Sequence, residues 1–230
     1  MNLHNKVVVI IGGSQGFGKT LAEYLKKEGC QVTIASRTED RVAKTAKELG
    51  IKYLVADVRD EQSLRMVAES VVADFGRIDI WVNSAGLFKK FPMVDLLDMD
   101  RAHEMFDVNF FGAVLGSRTA LLHMEQEGVI INLLSSAALD ATRAVGAKLY
   151  AASKWALRGY IDALRAENSD KSVQILSVYP GGMKTHLHDE ALPEDFANFM
   201  QTEYVVHKVI NNLKKDQPEL DLVIKRPSVA

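Results

Sequence analysis

Two hydrophobic patterns alternate along this chain of 230 residues. Short, nearly continuous runs of β-branched residues, such as residues 6–11, are typical of strands that are covered on both faces. Between such runs, as in Glu61–Phe75, apolar residues recur every three or four positions, which is the spacing of a helix with one buried face. The pattern therefore predicts strands that alternate with helices.

This alternation predicts a doubly wound α/β fold in three layers, with a mostly parallel seven-stranded sheet between two layers of helices. The strands are expected at residues 6–11, 31–35, 53–56, 78–82, 129–134, 173–178 and 220–224. Helices are expected after the first strand and at residues 41–49, 61–75, 99–125 and 150–168. No linker or repeat interrupts the pattern, so residues 1–230 are interpreted as one domain.

The stretch 182–201 breaks the alternation. It mixes His186, His188, Pro193 and Phe196 without a clean period, so we expect a loop or short helices over the edge of the sheet, acting as a substrate lid. Two histidines at alternate positions without a third convergent ligand do not predict a metal site.

A glycine-rich turn joins the first strand to the first helix. Gly12 can form the turn, Gly16 lets the backbone approach a pyrophosphate, and Gly18 lets helix and strand pack closely. The amino end of the helix then presents free N–H groups and a positive dipole. The turn predicts a dinucleotide site contacted by Gly12, Ser14, Gln15, Gly16, Phe17 and Gly18.

Tyr150 and Lys154 lie four residues apart in a helical pattern, so their side chains share one face of the helix. A nearby ammonium group favours the phenolate and is expected to lower the pKa of Tyr150. A phenol with a lowered pKa can act as an acid or base near neutral pH. The same spacing is also common on solvated helix faces, so the pair needs support from the rest of the chain.

Composition and charge argue against several classes of partner. The chain is 47% hydrophobic and 25% charged, with a formal net charge of −2, so bulk charge does not predict nucleic-acid binding. No apolar run approaches the roughly 20 residues that span a bilayer, and the first residues do not resemble a signal peptide. Cys30 has no second cysteine to pair with, so we expect a cytoplasmic protein without a membrane partner.

The ordered motifs between residue 6 and about residue 180 resemble those of the short-chain dehydrogenase/reductase family. They are Gly12-x-x-x-Gly16-x-Gly18, Asn83-Ser84-Ala85-Gly86, Tyr150-x-x-x-Lys154 and Pro180-Gly181. The resemblance implies a Rossmann fold, an oxidoreductase with a nicotinamide cofactor, and a homodimer or homotetramer. Two positions depart from the family pattern, because Ile11 replaces a threonine and Ser84 replaces the second asparagine.

The resemblance also implies cofactor contacts beyond the glycine turn. Asp57 would contact the adenine, next to Val58, and Thr185 would hydrogen-bond the nicotinamide carboxamide. A simple turn after the sixth strand is the alternative explanation for Thr185. The other implied contacts are Asn83, Ala85, Gly86, Tyr150, Lys154, Pro180 and Gly181.

Four residues would carry the chemistry that the resemblance implies. Tyr150 would exchange a proton with the substrate, beside Lys154, and Ser136 would hydrogen-bond the substrate oxygen. Ser136 lies one residue further from Tyr150 than in the commonest family spacing, and Ser135 is the alternative. Asn109 would help a water molecule relay protons toward Lys154, although an asparagine inside an apolar helix is also typical of a kink or a buried amide.

The end of the second strand indicates which cofactor is preferred. A carboxylate there would bind the ribose 2′-hydroxyl and repel a 2′-phosphate, but this chain has Ser36 and Arg37. Arg37 offers a bidentate cation for a phosphate, and Ser36 a further hydrogen bond. NADP(H) is therefore predicted over NAD(H), unless Arg37 only pairs with Glu39 or Asp40 at the surface.

Together these features predict an NADP(H)-dependent oxidoreductase that reduces a small-molecule carbonyl or oxidises a secondary alcohol, with Tyr150 as proton donor or acceptor. The alternative is a non-catalytic NADP(H)-binding regulatory protein of the same fold, which would usually lack the Tyr/Lys pair. Oligomerisation is expected through helices 99–125 and 150–168. Packing on the sheet would also explain apolar positions there, among them Phe110, Leu115, Trp155 and Leu157.

Overall fold

The computed structural model describes residues 1–90, 98–124, 127–144, 146–169, 172–188 and 192–227. Its centre is one sheet of seven parallel strands in the order β3-β2-β1-β4-β5-β6-β7. The strands are β1 (Val7–Ile11), β2 (Gln31–Ser36), β3 (Lys52–Val55), β4 (Ile80–Asn83), β5 (Glu127–Leu133), β6 (Ser172–Pro180) and β7 (Asp221–Ile224). The predicted doubly wound α/β fold is confirmed, with strand boundaries shifted by one or two residues.

Helices cover both faces of this sheet. They are α1 (Gly16–Lys27), α2 (Glu39–Leu49), α3 (Glu61–Phe75), α4 (Met99–Phe106), α5 (Gly112–His123), α6 (Lys148–Glu167) and α7 (Thr202–Leu213). Because side chains alternate along a strand, Val8 and Ile10 of β1 pack with α1, α2 and α7, whereas Val9 packs with α3, α5 and α6. All five residues of β1 are buried, which explains the continuous apolar run in the sequence.

The strand order reverses between β1 and β4. On one side β1 pairs with β2, with Val7 opposite Gln31, and on the other side it pairs with β4, with Val8 opposite Ile80. The connections that follow β1 and β4 therefore diverge to opposite sides, which opens a crevice beyond the carboxyl ends of the strands.

One helical prediction needs correction, and one helix was missed. The expected single helix 99–125 consists of α4, a π-helical turn at Asp107–Phe111, and α5; Glu125 lies outside the described residues. The helix α7 was not predicted at all. Its buried residues Val205, Val206, Val209, Ile210 and Leu213 do have helical spacing, so a signal was present in the sequence.

The stretch 182–201 is irregular, as predicted, but its two ends are held together. Met183 forms an isolated parallel bridge with Met200, in which the Lys184 N–H donates to the Met200 carbonyl at 2.8 Å. Two short 3₁₀ turns lie between the ends, at His186–His188 and Phe196–Asn198. Residues 189–191 of the expected lid lie outside the described residues.

In the part of the chain that the structure describes, no helix has both the length and the apolar character needed to cross a membrane.

Candidate active site

A cleft of about 1300 Å³ opens at the carboxyl ends of the strands, on both sides of the point where their order reverses. Every sequence-predicted site residue lines it except Asn83 and Asn109. The fold therefore brings together the predicted residues that follow or end β1, β2, β3, β4, β5 and β6, and those at the amino end of α6.

The glycine turn forms one wall of the cleft through very close backbone contacts. Gly12 has a φ of +86°, and a Cβ atom there would lie 2.5 Å from the Ala85 nitrogen. A Cβ atom on Gly18 would lie 2.3 Å from the Gly12 carbonyl oxygen. Gly16, with a φ of +54°, faces Thr185 across the cleft. Gly12 and Gly18 thus have the turn conformation and the close packing that the sequence predicted, and the approach of a pyrophosphate to Gly16 stays a prediction.

The amino end of α1 points into the same wall. Gln15 precedes the helix, but its side chain makes no capping hydrogen bond and instead accepts one from Arg41 at 3.1 Å. The first N–H groups of α1 are therefore left for another acceptor, and the helix dipole favours an anion.

Lys154 is buried beneath the cleft. Its side chain, in a residue only 4% exposed, donates from Nζ to the Leu133 carbonyl oxygen at 3.0 Å. Burial disfavours the ammonium form and lowers the pKa of Lys154 to about 8. The hydrogen bond fixes the amine at the end of β5, one helical turn from Tyr150.

Tyr150 is also buried, and its phenol has Ser135 as a hydrogen-bond partner. Burial raises the pKa of Tyr150, and the Ser135 hydrogen bond acts in the opposite direction. The Lys154 Nζ atom lies 6.0 Å from the centre of the tyrosine ring. The expectation of a lowered Tyr150 pKa is therefore wrong, because burial of the phenolate outweighs the polar contacts.

Ser135, and not the favoured Ser136, is the hydrogen-bond partner of the Tyr150 phenol. Ser135 has an extended backbone, with φ −166° and ψ 154°, and its Oγ also accepts from the Ala137 N–H at 3.2 Å. Ser136 begins a 3₁₀ turn and lines the cleft without a contact to the phenol among the hydrogen bonds described. The chain turns immediately after β5, so one residue of register decides which hydroxyl reaches Tyr150.

Apolar side chains surround the phenol on the remaining sides. Phe88 meets the Tyr150 ring edge to face, with 5.1 Å between the ring centres. Met105 from α4 is buried in the same cluster, and Leu187 packs against it. Because of this packing, Tyr150 is only 8% exposed.

Asn109 lies in the π-helical turn and is 1% exposed. Its Oδ1 accepts from the Leu87 N–H at 2.7 Å, and its Nδ2 donates to the Leu87 carbonyl at 2.8 Å and to Ser153 Oγ at 3.2 Å. The side chain thus clamps the segment after β4 to helix α6. The structure shows the buried amide and the kink, and it shows no hydrogen bond from Asn109 toward Lys154 among the described residues.

The Asn83 side chain lies between the sheet and α5 and does not line the cleft. It accepts from Trp81 Nε1 at 2.8 Å and donates to Ser117 at 3.0 Å and Asn132 at 2.9 Å. The predicted cofactor contact of Asn83 therefore stays a prediction. The next residue, Ser84, donates to the Ile11 carbonyl at 2.7 Å, so a hydroxyl from β4 braces the strand end where Ile11 offers none.

The far end of the cleft is lined by Ser36, Arg37, Asp57 and Val58, as predicted. Arg37 pairs with Glu104 of α4, with 3.8 Å between Nη1 and Oε1, and not with Glu39 or Asp40. The Ser36 hydroxyl oxygen is buried without a hydrogen-bond partner in the described ranges, so its hydrogen-bonding capacity is unused there. Hydrogen bonds from Arg59, the largest cause, hold the pKa of Asp57 below its ordinary value.

Pro180, Gly181 and Thr185 line the opposite wall, after β6. The Gly181 N–H donates to the Ile224 carbonyl at 3.0 Å, which ties this wall to the end of β7. Thr185 Oγ1 accepts from the Leu187 N–H at 3.3 Å.

These observations fit a dinucleotide. The glycine wall allows a ligand to approach the backbone, the amino end of α1 offers donors for its phosphates, and the cleft extends from there to Tyr150. A nicotinamide cofactor would lie between the glycine turn and Gly181, with its adenosine beside Val58. Sequence reasoning missed Arg41 and Glu104, which also line the cleft, because neither belongs to a motif.

Comparison with known proteins agrees with this geometry. The family model for short chain dehydrogenase matches residues 6–195. An NADP-dependent 3-hydroxy acid dehydrogenase of Schizosaccharomyces pombe is 34% identical over 192 residues, which cover 80% of this chain and 73% of that protein. The chain spans about half the length of other curated relatives that it matches, at 33% and 36% identity.

Solved structures share the fold over nearly the whole chain. An alcohol dehydrogenase from Thermococcus sibiricus, complexed with 5-hydroxy-NADP, has a TM-score of 0.85 and 25% identity, with 97% of each chain covered. A short chain dehydrogenase/reductase from Burkholderia phymatum, in complex with NAD, has a TM-score of 0.87 at 20% identity, covering 98% of this chain and 90% of that one.

The depressed pKa of Lys154 predicts how stability changes with pH. Above about pH 8 the folded chain has released this proton, whereas the unfolded chain holds it up to its ordinary pKa of 10.5. The unfolded state then binds more protons, so the free energy of unfolding should rise by about 2 kcal/mol from about pH 8 to about pH 10. Lys154→Met should lose this rise in denaturant titrations, and Lys148→Met, an exposed site on the same helix, should keep it. A rise that persists in Lys154→Met would contradict the assignment.

Proposed function

Because the chain belongs to the short-chain dehydrogenase family, we propose that it is an NADP(H)-dependent oxidoreductase. It reduces a carbonyl group of a small molecule, or oxidises the corresponding secondary alcohol, with Tyr150 as proton donor or acceptor. The observation that carries this proposal is the buried group of Tyr150, Ser135 and Lys154 at the apolar end of a cleft whose other wall is the glycine turn.

Tyr150 is the proton donor in this proposal. A phenol with a raised pKa stays protonated at neutral pH, which suits donation to the oxygen of a carbonyl that is being reduced. The cofactor supplies a hydride to the carbonyl carbon when it is bound. Phe88 packs against the phenol ring and limits its rotation, so the hydroxyl is held toward the cleft.

Ser135 and Lys154 support that proton transfer from two sides. The Ser135 hydroxyl can share its hydrogen bond with the substrate oxygen and so stabilise the negative charge that develops there. Lys154, held by the Leu133 carbonyl, has a pKa of about 8 and is therefore mostly cationic at neutral pH, which stabilises the phenolate left after the transfer. Asn109 acts as a positioning residue, since it fixes Leu87 beside α6.

Arg37 supports the choice of NADP(H). It lines the adenosine end of the cleft, and the end of β2 itself carries Ser36 and Arg37 instead of a carboxylate. Arg41 adds a second cation to the cleft lining. A guanidinium group binds a phosphate in a bidentate manner. The phosphorylated cofactor named for the yeast relative and the Thermococcus structure agrees with this choice.

The substrate site favours an apolar carbonyl compound. Around Tyr150 the cleft is walled by Phe88 and Leu187, with Ala137 and Ala147 in the same cluster. Small side chains at two of these positions leave room next to the phenol for an alkyl or aryl substituent of the carbonyl carbon.

A homo-oligomer remains part of the proposal. Phe111 is 51% exposed and Trp155 is 43% exposed, on the two helical segments expected at the interface. Leu157, by contrast, is 1% exposed and packs on the sheet, so it would not contribute.

Replacement of the phenol tests the proton transfer. Tyr150→Phe keeps the ring that packs on Phe88 but removes the donor, so NADPH-dependent turnover of a carbonyl panel should fall by about a hundredfold or more. NADPH binding, measured by fluorescence titration, should be retained. Tyr160→Phe, on the same helix but outside the cleft lining, is the matched control. Near-normal turnover by Tyr150→Phe would refute the mechanism, and wild-type binding of NADPH without any turnover would favour the regulatory alternative.

The same assay shows which of Ser135 and Ser136 acts with Tyr150. Ser135→Ala removes the hydrogen bond to Tyr150, so kcat/KM should fall by about a hundredfold and the pH profile should shift upward. Ser136→Ala should leave both the rate and the pH profile close to those of the wild type. If Ser136→Ala is the impaired variant, the register of the residues after β5 has been assigned incorrectly.

Cofactor choice is tested by comparing the KM values for NADPH and NADH. NADPH should have the lower KM, and Arg37→Gln should raise it while the KM for NADH changes little. Arg65→Gln, an exposed site on α3 outside the cleft lining, is the control. Equal KM values for the two cofactors in the wild type would contradict the role of Arg37.

A further inference from the structure

Glu104 places a carboxylate at the adenosine end of the cleft, opposite the end of β2. Its Oε1 atom lies 3.8 Å from Arg37 Nη1, and both side chains line the cleft. The Glu104 side chain is 37% exposed and the Arg37 side chain is 61% exposed. Because water reaches both groups, the pair can open without leaving a buried charge unpaired.

Arg59, the other cation whose charge acts on Glu104, is hydrogen-bonded to a different carboxylate. Asp57, the other carboxylate lining this end, is held by three hydrogen bonds from the Arg59 guanidinium group. Arg41 donates to Gln15 on the far side of Arg37. Glu104 and Asp107 also attract Arg59, but its hydrogen bond with Asp57 is the largest cause that raises the pKa of Arg59. Glu104 is thus directed at Arg37 while Asp57 is occupied by its own partner.

We propose that Glu104 is a specificity-determining residue, which competes with the 2′-phosphate of NADP(H) for Arg37 and so reduces the preference over NAD(H). The inference rests on the proposed function, because it assumes that adenosine binds beside Val58. The reason is electrostatic. A phosphate monoester carries almost two negative charges at neutral pH, and it must displace the carboxylate from the guanidinium group before it can bind in a bidentate manner.

Binding of two adenosine nucleotides tests this without catalysis. The probes are adenosine 2′,5′-bisphosphate and adenosine 5′-monophosphate, titrated by calorimetry at low salt into the purified chain. Glu104→Gln should bind the bisphosphate about fivefold more tightly, the factor for unit charges roughly 4 Å apart in water. Its affinity for the monophosphate should be unchanged, because that probe does not need Arg37.

Two further variants show whether the effect passes through Arg37. Asp100→Asn removes the same charge from the same helix but outside the cleft lining, and it should leave both affinities at the wild-type values. Arg37→Gln should lose most of the difference between the two probes. Adding Glu104→Gln to Arg37→Gln should then give a much smaller gain than in the wild type.

The result that overturns the proposal is a ratio of the two affinities that Glu104→Gln leaves unchanged. Weaker monophosphate binding in Glu104→Gln would also overturn it, since Glu104 would then be a ligand of the ribose hydroxyls. If Glu104→Gln still raises the affinity for the bisphosphate about fivefold when Arg37 is already replaced by glutamine, Arg37 is not the competing partner. Failure of wild type to bind either nucleotide would overturn both proposals. The expected nucleotide pattern without carbonyl turnover would overturn only the oxidoreductase assignment.

Discussion

The close approach of three backbone segments at the carboxyl end of β1 is the constraint on which the site depends. Gly12 lies against Ala85 after β4, and Gly18 of α1 lies against the Gly12 carbonyl, both closer than any Cβ atom allows. This packing fixes the amino end of α1 relative to β1 and β4. The glycine wall of the cleft is therefore set by covalent geometry and sterics rather than by adjustable side-chain contacts.

The apolar end of the cleft, around Tyr150, depends on the burial of two ionisable groups. Burial moves the pKa of Lys154 down to about 8, toward neutrality, and moves the pKa of Tyr150 up, away from it. Each shift represents free energy that the rest of the fold must offset. The Leu133 carbonyl and the Ser135 hydroxyl supply part of that compensation, so the end of β5 stabilises the same pair that it helps to position.

The sequence was sufficient for the sheet and the glycine turn, because a strand buried on both faces must be apolar throughout and a close contact must be glycine. It was insufficient for features that depend on contacts between distant parts of the chain. The choice between Ser135 and Ser136 depends on one residue of register after β5, and the pKa of Tyr150 depends on how deeply the phenol is covered. The partner of Arg37 comes from α4, a helix that shares no sequence motif with β2.

The π-helical turn between α4 and α5 has a consequence for how this chain can diverge. A π-helical turn inserts one extra residue, so it rotates the helix beyond it by about 100° relative to a continuous α-helix. The faces of α4 and α5 are therefore set independently: Met105 of α4 packs near Tyr150, whereas Ala113 and Ala120 of α5 pack on the sheet. Substitutions on α4 can thus change the side chains near Tyr150 without changing how α5 packs on the sheet.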